Sequence, residues 1–311
     1  MEMRDCAALL RAHDNFLLLT HRRPDGDTLG SAAALCLALR RLDKTACLYP
    51  NPQITESYLG YTAPLFAPAG FRANFVISVD TAGESLLPEA YPGGVDLALD
   101  HHPSNTGYAK QSVVWPHKAS CGELVGELIE ALCDGLTPLE AELLYVAVST
   151  DTGCFCYGNT TADTLRAAAR FIDAGADNKK LNKRLFRSFS RARVALEGMV
   201  FAGLRLERGG QVVIATVTLA MLQKAGATED DCEDLASLPG RVAGSRTSAT
   251  IRELPGNVCK ISLRTDGVID ASAVCAHFGG GGHPMAAGCE MGCPPDEAAA
   301  ALLRALDEEW V

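Results

Sequence analysis

Residues 16–20 read FLLLT, and the next seven are His21-Arg22-Arg23-Pro24-Asp25-Gly26-Asp27. A short apolar run, bounded by Asn15 and by polar residues from His21, has the form of a buried strand. Pro24 and the Asp25-Gly26 pair then turn the chain. Residues 28–42 are rich in Ala and Leu and read as a helix. Strand, polar turn and helix, in that order, open a parallel α/β sheet.

The same alternation continues outward. Residues 45–49 read as a second strand. Residues 75–79 (FVISV) read as a third that ends at Asp80, and 95–99 (VDLAL) as a fourth that ends at Asp100-His101-His102. Helices are expected over 122–132, 138–148 and 162–174, the last capped by Thr161. The second of these runs into Ser149-Thr150-Asp151-Thr152-Gly153. Such alternation predicts a doubly wound, mainly parallel sheet, whose ligands gather beyond the carboxyl ends of the strands near a topological switch point. His21, Asp80 and His101 each follow a predicted strand, which places them at one shared site.

From Gly210 the pattern changes. Residues 211–219, 247–252 and 258–264 read as strands, 271–278 as a helix and 295–310 as a closing amphipathic helix. Residues 177–206 carry many Lys and Arg at helical spacing. The expected organisation is therefore an α/β chain in two parts. A doubly wound domain occupies 1–180, a linker helix 181–207, and a smaller α/β domain 208–311.

The length of 311 residues fits two cores rather than one. A formal net charge of −10 argues against a protein that coats long nucleic acid by charge neutralisation. It favours a small anionic substrate held at a local site. The twelve cysteines include no CxxC pair, and Cys36, Cys133 and Cys275 lie in apolar runs. They read as small buried hydrophobes in a reducing, cytoplasmic setting. No signal peptide and no apolar run of about 18 residues is visible, so no membrane segment is expected.

Asp and His gather in four short segments: 21–27, Asp80, 100–102 and 149–151. Each alone has an ordinary reading. Asp25-Gly26 makes a turn, Asp80 caps a helix, His101-His102 sits on a surface or in a satisfied core, and Asp151 starts a turn. Together, all at strand or helix ends, they point to a metal site. Oxygen and imidazole donors suit Mn²⁺, Mg²⁺ or Fe²⁺. Asp25, Asp27, Asp80 and Asp151 would repel one another in one cleft, and two divalent cations would neutralise them. In the second part, Gly279-Gly280-Gly281-Gly282 lets backbone amides approach a ligand. His283 and Arg264 suit a phosphate there.

At these residues the chain resembles the DHH/DHHA1 phosphoesterase superfamily. The motifs are His21 to Asp27, Asp80, Asp100-His101-His102, Asp151 within 149–153, and GGGGHPMAAG over 279–288, preceded by Ser262-Leu263-Arg264. They occur in order across nearly the whole chain. The compact two-domain form resembles the bifunctional oligoribonuclease and 3′-phosphoadenosine 5′-phosphate (pAp) phosphatase type. The resemblance implies two divalent cations, Mn²⁺ first, with Mg²⁺ also suited. One metal takes His21, Asp25 and Asp80; the other takes Asp27, Asp80, His101 and Asp151, with Asp80 bridging. Asp80, Asp100 and His102 are the implied catalytic residues. His102 contacts the scissile phosphate and Asp100 orients a histidine. Arg264, Gly280, Gly281, Gly282 and His283 join His102 in holding substrate. The first motif begins Thr20-His21 where many members have Asp-His, which removes a carboxylate beside the ligand histidine.

The activity this implies is hydrolysis of short RNA or DNA oligonucleotides to 5′-mononucleotides, or of pAp to AMP and phosphate. A metal-activated hydroxide attacks phosphorus, and the second domain closes over the cleft to select short ligands. Within the same class, cyclic or linear dinucleotides are the alternative substrates. From a different class comes an RNA-binding module on an inert first domain, which the intact acid/His set opposes. An exposed edge of the first domain could support a homodimer.

Overall fold

The computed structural model describes residues 1–232 and 235–309. The FLLLT run forms the first strand, four residues all buried. The elements of the first unit are, in chain order, α1 (Met3–Ala12), β1 (Phe16–Leu19), α2 (Gly26–Arg41), β2 (Ala46–Leu48), α3 (Glu56–Thr62), β3 (Phe75–Val79), β4 (Leu97–Asp100), β5 (Gln111–Val114), α4 (Cys121–Leu132), α5 (Pro138–Asp151), α6 (Ala162–Asp173) and α7 (Asn178–Phe186). The five strands are all parallel, in the order β2-β1-β3-β4-β5. The order reverses at β1, so the loops after β1 and β3 open at the switch point.

Residue alternation on the strands explains the two faces. Phe16, Leu18, Ile77, Leu97 and Leu99 are buried in a core shared with α1, α2, α4 and α5. Each such side chain contributes about 1.5–3 kcal/mol on burial. Leu17, Leu19 and Val76 face the other way, under Tyr49, Phe71, Tyr91 and Tyr108. That face is covered by loops rather than long helices.

The approach of α2 to α5 is unusually close because α2 presents glycines. A Cβ on Gly30 would lie 2.4 Å from the carbonyl oxygen of Leu143, and one on Gly26 would lie 2.4 Å from Thr150 Oγ1. This contact brings the first turn of α2 against the last turn of α5, hence Asp27 toward Asp151.

The second unit contains α8 (Arg191–Ala202), β6 (Arg205–Glu207), β7 (Val212–Val217), α9 (Leu219–Ala225), β8 (Thr247–Leu254), β9 (Val258–Thr265), α10 (Ala271–Ala276), β10 (Gly281–His283), β11 (Ala286–Met291) and α11 (Pro295–Glu309). Its sheet runs β10-β11-β9-β8-β7-β6, with only β7 and β8 parallel. Cys259, Ile261 and Leu263 of β9 pack with Val274 of α10 and Leu302 and Leu306 of α11. On the opposite face, Ala215 and Val217 of β7 are covered by Leu196 and Val200 of α8, with Leu235 and Leu238. On the opposite face of β9, β11 and β10, Arg264, Glu290, Gly281 and His283 are exposed among the described residues.

The chain divides into units Met1–Ser188 and Phe189–Val311. The stretch expected to be one linker helix, 181–207, is shared between them. Leu181 of α7 is buried in the first core, and Asn182 Nδ2 donates to Tyr145 Oη at 3.1 Å. Leu196 and Val200 of α8 belong to the second core. Apolar residues on the two halves face different cores, so the helix breaks over 187–190. Other expected elements hold with edges moved by a few residues. α5 runs three residues beyond the predicted 148, so Asp151 ends a helix. Thr161 caps α6, accepting from Thr164 N. The predicted end of the last helix at Trp310 lies outside the described residues. All twelve cysteines are free; Cys36 and Cys275 are buried and Cys133 is half-buried. Among the described residues no helix is long and apolar enough to cross a membrane.

Candidate metal centre and phosphate-binding face

The loop after β1 supplies two of the expected ligands and the start of α2 a third. Asp25 caps α2, its Oδ1 accepting from the amides of Asp27 and Thr28 at 3.0 and 3.2 Å. The ring of His21 is turned by its Nδ1, which donates to the carbonyl of Arg22 at 2.8 Å. A backbone oxygen thus serves where a carboxylate before His21 is lacking. Nε2 of His21 then lies 3.6 Å from Asp25 and 3.8 Å from Oδ2 of Asp80.

Asp80 follows β3 in the left-handed region, at φ 56°. Such a backbone costs about 1 kcal/mol or more and persists where surroundings hold it. Here its amide donates to the Leu99 carbonyl at 2.8 Å, and Thr28 Oγ1 donates to the Val79 carbonyl at 2.8 Å. Oδ1 of Asp80 lies 3.3 Å from Nε2 of His101. It is buried and, among the described residues, accepts no hydrogen bond. The same His101 nitrogen lies 3.7 Å from Asp27 and 3.7 Å from Asp151. Its Nδ1 donates to the Lys118 carbonyl at 3.2 Å, which fixes the ring.

Three groups of donor atoms result: His21, Asp25 and Asp80; Asp27, His101 and Asp151; and Asp80, His101 and His102, each within 4.8 Å. Asp80 turns a different oxygen to each of the first two groups. Separations of this size suit atoms that each bind one ion at about 2.0–2.2 Å. The orphaned Oδ1 of Asp80 fits as well. The acidic and histidine residues are compatible with a divalent metal site.

Asp27 is almost wholly buried. Its oxygens accept from the amides of Cys121 and Gly122 at 2.7 and 3.0 Å and from Ser31 Oγ at 3.2 Å. These amides belong to the first turn of α4, whose free N–H groups favour a negative charge. The sequence carried a signal for this, a helix start near 122, but not its partner 94 residues away. Asp100 joins His102 to Asn105: its Oδ1 accepts from His102 Nδ1 at 2.7 Å and its Oδ2 from Asn105 Nδ2 at 2.7 Å. Asn159 Nδ2 donates to the carbonyls of Ala119 and Asp151 at 3.2 and 3.1 Å. No pattern in the sequence singles out Asn105 or Asn159.

The electrostatics follow from burial and crowding. Burial alone would lower His21 and His101. The hydrogen bond and charge of Asp25, with the charge of Asp80, push His21 up to about 9. Asp80, Asp27 and Asp151 push His101 up to about 11. Burial and its carboxylate neighbours also raise Asp27, and Asp151 rises to about 7 for the same reasons. Asp25 goes the other way, to about 2, because its bond to His21 and the α2 amides outweigh burial. Against burial, the bond to His102 holds Asp100 below the usual carboxylate range.

The second unit places Arg264, Gly281 and His283 of its expected residues on one face, with Gly280 and Gly282 in the alternate positions. His283 on β10, Ala286 on β11 and Arg264 on β9 lie in one cross-strand row. Gly281, Gly288 and Ser262 form the next. Gly280 lies flat against β11, where a Cβ would meet the Gly288 carbonyl at 2.2 Å. Gly282 adopts φ 148°, open to glycine. The glycine run is thus a strand edge rather than a loose loop.

Residues 15–148 match the DHH family, N-terminal domain, and residues 209–310 match the DHHA1 domain. The chain is 33% identical over 99% of its length to the bifunctional oligoribonuclease and PAP phosphatase NrnA of Thermus thermophilus, covering 94% of that protein. It is 28% identical to the Bacillus subtilis protein of the same name, over 90% of each chain. The fold is similar to that of an exopolyphosphatase-related protein from Bacteroides fragilis, with TM-score 0.88, 22% identity and coverage of 98% and 96% of the two chains. On two matched domains and a relative aligned along nearly its whole length, this chain belongs to the DHH family of phosphoesterases.

Proposed function

We propose that this protein is a metal-dependent phosphoesterase that hydrolyses short oligonucleotides to 5′-mononucleotides and pAp to AMP and phosphate. The relatives named for oligoribonuclease and PAP phosphatase activity support this substrate class. The observation that carries the reading is Asp80, whose two oxygens are divided between His21 and His101. His21, Asp25 and Asp80 would hold one cation; Asp27, Asp80, His101 and Asp151 would hold the other. Manganese is the proposed metal.

When bound, the pair of ions supplies an acidified water and neutralises phosphoryl charge. The chain's residues do the rest. Asp25, Asp27, Asp80 and Asp151 position the ions, and His101 is kept in orientation by Lys118. His102, held through Nδ1 by Asp100, directs its other nitrogen to a phosphoryl oxygen. Arg264, His283 and the backbone of Gly280, Gly281 and Gly282 hold the non-reacting phosphate. Catalysis is thereby assigned to the first unit and substrate holding to the second.

A panel of pAp, a dinucleotide, a five-nucleotide RNA and a cyclic dinucleotide under Mn²⁺, with chromatographic product analysis, tests the reading. Release of 5′-mononucleotides or AMP by the wild type, lost in Asp80→Ala with folding retained, supports it. Turnover retained in Asp80→Ala rejects the site.

A further inference from the structure

We infer that Glu123 is a positioning residue for one of the two proposed cation sites. It fixes residues 118–122, the segment that holds Asp27, His101 and Asp151. The inference rests on the metal reading above and adds a residue that lies outside the ligand set.

Five consecutive residues after β5 reach all three members of that donor group. The Lys118 carbonyl accepts from His101 Nδ1 at 3.2 Å. The Cys121 and Gly122 amides donate to the two oxygens of Asp27 at 2.7 and 3.0 Å. The Ala119 carbonyl shares Asn159 Nδ2 with the carbonyl of Asp151, at 3.2 and 3.1 Å. The other donor group is held differently. His21 is turned by the Arg22 carbonyl, and Asp25 by the first amides of α2. Among the described residues, none of those bonds comes from the segment 118–122.

Glu123 in turn holds the segment. Ser120 is the cap residue of α4, yet its side chain makes no capping bond. Glu123, three residues on and 1% exposed, takes that place. A glutamate there usually reaches back to the amide of the cap residue itself. This one reaches one residue further: its Oε1 accepts from the Ala119 amide at 3.1 Å. The same oxygen accepts from Thr164 Oγ1 at 2.8 Å. Oε2 lies 3.6 Å from Lys118 Nζ, which also donates to Glu127 Oε1 at 2.6 Å. Two carboxylates of α4 thus keep Lys118 in place, with its carbonyl at His101.

The far end of this chain of bonds is the start of α6. Thr164 is fully buried there and accepts from the Thr161 amide at 3.2 Å. A buried carboxylate is costly unless it is bonded. The bonds of Glu123 join the cap of α6 to the segment that orients one donor group. Loss of such an outer partner weakens metal affinity by about 10–100-fold.

The test measures Mn²⁺ binding to the full chain by calorimetry, with EPR to separate isolated ions from coupled pairs. Wild type is expected to bind two ions. Glu123→Ala should hold one ion as before and bind the other about 10–100-fold more weakly. An isolated-ion EPR signal should then replace the pair signal at intermediate Mn²⁺. Glu123→Gln keeps an oxygen that accepts from Ala119 and Thr164, so it should retain most of the affinity. Thr164→Val lies far from the ligands and should weaken the same ion, which decides the matter if Glu123→Ala fails to fold. Unchanged affinity in Glu123→Ala and Thr164→Val, or equal weakening of both ions, would overturn the positioning role. A wild type that binds no second ion would instead overturn the two-cation reading, and this inference with it.

Discussion

Asp100 and His102 form a fixed pair: Nδ1 of His102 donates to Oδ1 of Asp100 at 2.7 Å, and Asp100 is fully buried. The pairing commits Nδ1, so Nε2 is the nitrogen that the proposed function assigns to the phosphoryl group. Asp100→Asn keeps the shape and can still accept from Nδ1, but it removes the charge that favours the protonated ring. The expected loss is about 10–100-fold in kcat/KM, with circular dichroism unchanged. The optimum should also shift to lower pH, because His102 is raised by this bond and by Asp80 and falls when the charge is gone.

The contact of α2 with α5 gives a second expectation. Gly30→Ala places a Cβ 2.4 Å from the Leu143 carbonyl, so the helices must separate. Overpacking of this kind costs about 1–3 kcal/mol, measurable by urea unfolding. Asp27 and Asp151 move apart together with the helices, so Mn²⁺-dependent hydrolysis should fall more than stability alone explains.

Metal removal should make stability fall as pH rises. His21 and His101 are raised from 6.5 to about 9 and about 11, and Asp151 from 3.8 to about 7. Over those windows the folded chain holds protons that the unfolded chain has released, so stability declines with pH. The histidine contributions are complete below 6.5 and decline through about 9 and beyond, while that of Asp151 declines between 3.8 and about 7. Asp25, lowered to about 2, acts oppositely, its stabilisation being lost only as pH falls from 3.8 toward that value. Thermal melts in EDTA should therefore give a lower Tm at pH 8.5 than at pH 5.5. Mn²⁺ at a hundredfold excess over Kd should restore about 2.7 kcal/mol. A metal-free Tm that rises over this range contradicts the crowded site.

Asn159 tests the support behind Asp151. Asn159→Ala removes donors to the carbonyls of Asp151 and Ala119 and frees the loop after α5. Mn²⁺ affinity by calorimetry should weaken about tenfold or more, with little change in the melting of the second unit.

Much of the site was legible because its ligands sit in short local motifs at strand ends. His21, Asp80 and His101 follow β1, β3 and β4, and apolar runs of four or five residues reveal those strands. The glycine run was visible too, but its pairing with β11 was not. Gly, Ala and a single His carry no strand periodicity, and edge pairing depends on a partner rather than on local preference. The short β5 and the helix α3 were missed for a similar reason: their few residues show weak patterns, and packing holds them.

By itself, the sequence determined which residues are donors, the strands β1 to β4 that carry them in the first unit, and the presence of two cores. Local propensity and apolar periodicity suffice for these. Tertiary structure alone decided that Asp80 divides its oxygens between two clusters, that α4 amides receive Asp27, and that Arg264, Ser262 and Lys260 share one face. Those relations join residues tens of positions apart, and their geometry follows from helix packing and strand register, which no local stretch of chain encodes.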